Sequence, residues 1–411
     1  MDDTSRLMPV SHVGKKLLTV VPMLLFFSLG FVLGMTTNSN FPNFYLPFVP
    51  PSPIPTQSPP PLLQPPPSPR PVLPPPSPPP PSHPPPTLSS SFQTQQVGLM
   101  RELAPSSVMH NMTDEELFWW ASMVPKIRST PYHRVPKVAF LFLVRGDLPL
   151  RPLWEKFFAG HQGLYSIYLH TDPSYNGSPP KDSVFYGRMI PSQKTFWGDV
   201  TLLAAERRLL ANALLDLNNE RFALVSESCI PLYNLTTIHA VLTRSPTSFV
   251  DSFPTASRYA PLFADRVNIT VRRWRKGAQW FEMDRALAAE VVADEAYFPV
   301  FRDHCAGRPA CLMDEHYLPT LLSAMRWPSN ANRSLTFADW KRRNNGPTHP
   351  HRYGKGEVTE ELVKEIRGGA GRNCSEFNDG ARGICSMFAR KFASDTLEPL
   401  LRLAPKVMGF G

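Results

Sequence analysis

The stretch Pro309 to Leu322, "PACLMDEHYLPTLL", sets adjacent carboxylates, Asp314 and Glu315, and then His316 between a cysteine and an apolar run. A carboxylate on a loop can take the proton of a hydroxyl as charge develops on the oxygen, which is the work of a general base. Most Asp-Glu pairs are only charged helix starts. Pro319, read as the first residue of a helix, would leave residues 314–317 on the approach loop with Glu315 free to face a cleft. His316 reads as a hydrogen-bonding support beside it. Positive charge gathers in "VRRWRKG" (271–277) and "RGICSMFARKF" (382–392). Such tracts are either solvated faces or cradles for a diphosphate or an acidic glycan. His349 and His351 have no Cys or carboxylate partner at ligand spacing. Walker A, Gly-x-Gly-x-x-Gly and paired Asp-x-Asp are all absent, so no metal or other cofactor is expected.

These residues need a scaffold. "KVAFLFLV" (137–144) is a continuous apolar run, the pattern of a strand buried on both faces of a parallel sheet. A helical stretch with Leu150, Leu153, Trp154, Phe157 and Phe158 follows, and then a second strand, "YSIYLHTDP" (165–173). This β-α-β unit ends with Asp172 at the carboxyl end of its second strand, where open α/β sheets bind ligands. "DVTLLAAERRLLANALLDL" (199–217) reads as a helix capped by Asp199. "RFALVSES" (221–228) and "TSFVDSF" (247–253) read as further strands. The expected class is α/β, a Rossmann-type sheet flanked by helices, in one domain over 101–411.

The first hundred residues differ. "LLTVVPMLLFFSLGFVLGM" (17–35) carries no charge and just reaches the length that spans a bilayer, with Lys15 and Lys16 directly before it. It is read as a signal anchor, with residues 1–16 cytosolic; a cleaved signal peptide would have a shorter apolar run and a small-x-small site. Residues 36–100 form a proline-rich stem, and half of the chain's 48 prolines lie between Phe41 and Pro86. Such a tract forms a polyproline II rod, which at ~3.1 Å per residue reaches on the order of 100 Å. Its single "SPPPP" (77–81) resembles the repeat of extensin-type wall glycoproteins and keeps a structural role open. Asn-x-Ser/Thr acceptors stand at Asn111, Asn176, Asn234, Asn268, Asn332 and Asn373, all beyond the apolar segment. The five cysteines lie there too. Their spacing suggests Cys305–Cys311 and Cys374–Cys385 disulfides with Cys229 left over, and buried free thiols are the alternative. In the secretory lumen, the net charge of +9 does not point to nucleic acid.

Several blocks in order, "FLFLVRGDLPLRPLWEKFF", "YSIYLHTDP", "WGDVTLLAAERRLLANAL", "KGAQWFEMDR", "CLMDEHYLPT", "ADWKRRNNGPTHP" and "CSMFARKF", resemble the plant branch of the core-2/I-branching β-1,6-N-acetylglucosaminyltransferases, from about Lys137 to about Arg402. The resemblance implies a type II Golgi membrane protein with a GT-A-like α/β domain. It also implies inverting, metal-independent transfer from a UDP-sugar to a glycan hydroxyl. By the same resemblance Glu315 is the base, Arg382 and Lys391 neutralise the diphosphate, and Asp172 lies on the nucleotide side. Trp340 stacks on the acceptor sugar, with Asp314 and Trp280 as further acceptor-side candidates, although Trp280 could equally pack in the core. N-acetylglucosamine is the expected donor sugar. A glucuronosyl donor acting on arabinogalactan-type glycans, and a non-catalytic glycan-binding or wall protein, are the alternatives. A hydrolase would need a second carboxylate across the scissile bond, which the sequence does not offer.

Overall fold

The computed structural model describes residues 108–123, 134–308, 310–342, 349–374, 377, 380–381 and 383–411. The residues expected to form a cytosolic tail (1–16), an anchor (17–35) and a stem (36–100), and Arg382, lie outside the described residues. Among those described, no helix is long and apolar enough to cross a membrane.

A five-stranded sheet carries the fold, in the order β2-β1-β3-β8-β5. Its strands are β1 (Lys137–Leu143), β2 (Tyr165–His170), β3 (Asn219–Ser226), β5 (Phe249–Val250) and β8 (Phe281–Asp284). β1 pairs in parallel with β2 and with β3, while β8 runs antiparallel to β3 and to β5. From Val138 onward β1 is apolar, because both of its faces are covered. Phe140 and Phe142 pack edge-on against Trp154 of α2 (Arg151–Phe158), and Phe140 also against Phe157 and Phe158. These rings are fully buried.

The long helix is α3 (Val200–Leu214); the Asp199 carboxylate caps it by accepting from Thr201 N–H at 2.8 Å. Charged residues on this helix are buried as well as apolar ones. Arg208 grips Asp114 of α1 (Asp114–Ala121) with two bonds of 2.8 and 2.6 Å. Arg207 donates to the carbonyls of Val291 and Val292 on α6 (Arg285–Ala293).

A second small sheet has the order β4-β10-β9, made of β4 (Ile230–Pro231), β9 (Thr336–Ala338) and β10 (Phe388–Arg390). A two-stranded ribbon pairs β6 (Phe253–Pro254) with β7 (Arg275–Lys276). The single strand expected over 247–253 is therefore two short ones in different sheets. The extended chain leaves the central sheet after Val250, where Asp251 is only half-buried. Cys305–Cys311 and Cys374–Cys385 are disulfide-bonded, with Cα atoms 5.6 and 5.2 Å apart, and Cys229 is a buried free thiol.

Candidate active site

The three parallel strands all end at one cleft. Val144 and Arg145 follow β1, Asp172 follows β2, and Ser226, Glu227 and Ser228 close β3, and all of them line it. The carboxyl edge of a parallel sheet is left open because its crossover connections run off there, so polar loop residues converge. The cleft has a volume of about 1520 Å³, more than the roughly 300–1,000 Å³ of a pocket for one small ligand. Two substrates fit that space.

Glu315 reaches the cleft from a 3-10 turn, Met313–Glu315, which leads into helix α8 (Tyr317–Met325). The helix begins two residues before Pro319, which is tolerated in the first turn because its missing N–H has no partner there anyway. The turn is held from both sides: Leu312 N–H donates to Gly198 O at 3.0 Å, and Gly277 N–H donates to Glu315 O at 2.9 Å. Gly277 admits no side chain, since a Cβ there would stand 1.8 Å from Asp251 O. The Glu315 carboxylate pairs with Lys276 at 3.0 Å. Thus the basic tract 271–277 divides. Trp274 is buried in the core, whereas Lys276 lines the cleft beside the carboxylate.

Asp314 also lines the cleft but is nearly enclosed, and its Oδ1 has no hydrogen-bond partner. Burial, and then the Glu315 charge, push its carboxyl up to about 7. Behind it lies Glu206 of α3, fully enclosed, accepting from Gln279 Nε2 at 2.8 Å. Burial raises Glu206 well above the usual carboxylate range, and Asp314 adds to this. His316 is the expected support. Burial draws its imidazole down to about 4, so the neutral ring donates from Nδ1 to Arg275 O at 2.9 Å and stacks on Trp274. It thereby fixes the strand that carries Lys276.

A second set of charges is positive. Lys391 follows β10; burial, and then Arg390, pull its ammonium down to about 8. Arg390, Arg145 and Arg352 join it on the cleft lining. Lys391, Arg390 and Arg145, after burial, depress His349. Backbone bonds set this group in place: Tyr353 N–H to Lys391 O at 2.8 Å, Phe392 N–H to Ser228 O at 2.9 Å, and His351 N–H to Asp339 O at 2.8 Å. Asp172 accepts from Ser174 N–H and Oγ–H at 2.9 and 2.6 Å, and these bonds hold its carboxyl below the ordinary value.

Of the residues singled out in the sequence, Asp172, Trp280, Asp314, Glu315, Trp340 and Lys391 meet in this cleft. Trp280 combines both of its expected places: it is buried, and its ring lies 4.0 Å from the Arg390 guanidinium. Glu206, Gln279, Arg145, Arg352 and Arg390 are site residues that the sequence did not single out, as are the further cleft carboxylates Glu227 and Asp251. Arg390 alone had a signal, its place beside Lys391. His351 is buried and bonds Glu357 at 2.7 Å, away from the cleft lining, while His349 lies on it against Trp197. Five of the six asparagine acceptors are exposed; Asn234 is half-buried, where its Oδ1 caps helix α4 (Leu235–Arg244).

A sequence model of the core-2/I-branching enzyme family matches residues 138–367. The chain is 37% identical over 295 residues to glycosyltransferase BC10 of Oryza sativa subsp. japonica, covering 62% of this chain and 73% of the rice protein. The cleft, the matched family and this relative agree: the chain belongs to the core-2/I-branching enzyme family and is a glycosyltransferase, which takes a sugar donor and a glycan acceptor.

Proposed function

We propose that the chain transfers N-acetylglucosamine from its UDP-sugar to a hydroxyl of a glycan acceptor, with inversion and without a metal, and that Glu315 is the general base. The observation that carries this reading is one cleft lined both by the Lys276-paired carboxylate of Glu315 and by the cation group around Lys391. Glu315 takes the proton of the acceptor hydroxyl as its oxygen bonds the anomeric carbon. The bond from that carbon to UDP breaks in the same step, and the electron pair leaves with the diphosphate. Lys391 and Arg390, with Arg145 and Arg352, meet the charge that develops there, and cations fixed beforehand do this with little reorganisation. Asp172 is assigned to the nucleotide side and Trp340 to the acceptor sugar; Arg382 joins the diphosphate set from outside the described residues. Among the described residues no three His, Cys, Asp or Glu side chains gather as a metal site.

Besides Lys276, which pairs with Glu315, four cations line the cleft, and a glucuronosyl donor, whose sugar adds a carboxylate for them to meet, is the second reading. The experiment is UDP release by the full chain over a panel of UDP-sugars with mixed glycan acceptors, with and without EDTA, beside Glu315→Ala. Turnover insensitive to EDTA and cut by ~10²-fold or more in the variant is expected. Equal rates in wild type and Glu315→Ala would end the base assignment. A preference for UDP-glucuronic acid would select the second donor, and glycan binding without turnover of any donor would leave a binding protein. We further propose a single-pass type II Golgi protein with its catalytic part in the lumen, supported by residues 17–35 with Lys15 and Lys16 before them. Protease protection of the catalytic part in sealed microsomes tests this, and digestion without detergent would refute it.

A further inference from the structure

Aromatic rings that stand about half in solvent are costly unless something covers them. Phe196, Trp197, Phe253 and Trp340 are 55%, 49%, 45% and 44% exposed, and all four line the cleft. Trp340 is the acceptor aromatic already expected from the family resemblance. The other three are connected to the catalytic turn by two separate routes. Phe253 lies opposite Lys276 in the β6–β7 register, and Lys276 holds Glu315. Phe196 and Trp197 belong to the loop before α3, and the next residue, Gly198, accepts from Leu312 N–H one residue before the turn. Gly198 has φ +71°, and a Cβ on it would stand 2.8 Å from Ala310 Cα, so loop and turn pack backbone to backbone. Phe196 N–H is fixed on Thr201 Oγ1 at 3.0 Å. The loop and the turn that carry these rings are thus joined at the backbone; Trp197 also meets His349 edge-on, and Lys194 lies over the Phe196 ring. Pyranose sugars have apolar C–H faces that stack on such rings while their hydroxyl edges stay wet. Four such rings on one cleft are more than a single sugar needs.

We propose that Phe196, Trp197 and Phe253 form a platform for the acceptor sugars beside the one that reacts, so that the enzyme takes an extended glycan chain rather than a single sugar. The platform rests on the reading of the Glu315 turn as the acceptor side. Binding, not turnover, tests it. The full chain would be titrated with neutral β-linked galactan, xylan and glucan oligosaccharides from one to about six units, with UDP affinity measured in parallel. In at least one series affinity should rise by about tenfold or more with length. Trp197→Ala, or Phe196→Ala with Phe253→Ala, should flatten that rise and leave UDP affinity unchanged. Affinity independent of length in every series, or a rise that survives both variants, would overturn the platform. If Glu315→Ala leaves turnover intact while the length dependence disappears with Trp197, only the base assignment fails.

Discussion

The acidic and basic charges of the cleft are handled by the same physics in opposite senses. Around the 3-10 turn, three carboxylates crowd together, and burial drives Glu206 and Asp314 toward their neutral forms. Glu315 is less enclosed and has Lys276 as its ion partner. Around β10 the crowding is of cations, and burial with Arg390 makes Lys391 the easiest of them to discharge. The acidic group therefore has one carboxylate with a cation partner, and the basic group sets four cations near a single carboxylate, Glu227. A protein tolerates such a surplus where an anion will complete it.

Lys391→Met is the strongest way to break this comparison after Glu315→Ala. It should cost ~10²–10³-fold in kcat by removing a preplaced countercharge, with little change in acceptor KM. A loss confined to acceptor KM would move Lys391 off the leaving-group side. The pH dependence sharpens the same point. The Lys391 ammonium discharges as pH rises through about 8, so UDP affinity should fall above that pH by up to about tenfold per unit. Lys391→Arg should move this decline beyond pH 10, and an unchanged decline in that variant would assign it to another group.

Asp314→Asn probes the acidic side. Because the folded protein favours protonated Asp314, this contribution to stability is fully present below about pH 4 and is lost as pH rises to about 7. The stabilities of wild type and Asp314→Asn should converge below about pH 4, draw apart between pH 4 and 7, and above pH 7 differ by on the order of a few kcal/mol in favour of the variant, read as its higher thermal midpoint. Curves that stay parallel from pH 4 to 7 would mean that burial does not hold Asp314 protonated. The smallest effect is expected from Cys305→Ser with Cys311→Ser. Opening so short a loop costs about 2–3 kcal/mol, read as a lower thermal midpoint. An unchanged midpoint would mean that the bond adds nothing to the acidic side.

Much of this molecule is legible in its residues. The apolar run of β1, the capped α3 and the β-α-β unit follow local rules, because each element is buried in a regular way and its pattern repeats along the chain. The chemistry-bearing residues were legible for a different reason: they sit in recognisable blocks whose order resembles a family. Glu206 escaped both kinds of signal. In "AAERRLL" three charged residues in a row carry no sign of burial, yet all three are buried, each satisfied by a partner distant in sequence, Gln279, the end of α6 or Asp114. The strand expected over 247–253 failed similarly, since its break after Val250 depends on neighbours in two different sheets.

By itself the sequence determined the α/β class and the three parallel strands of the central sheet, suggested both disulfide pairs and singled out the candidate carboxylate, because periodicity, spacing and ordered motifs are properties of the chain. Only the tertiary structure decided which charges share the cleft, which carboxyls burial pushes toward neutrality, that Lys276 pairs with Glu315 and that three further aromatic rings line the same cleft. Desolvation and Coulomb interactions act through space, between residues that the chain separates by tens to hundreds of positions, and no local pattern encodes them.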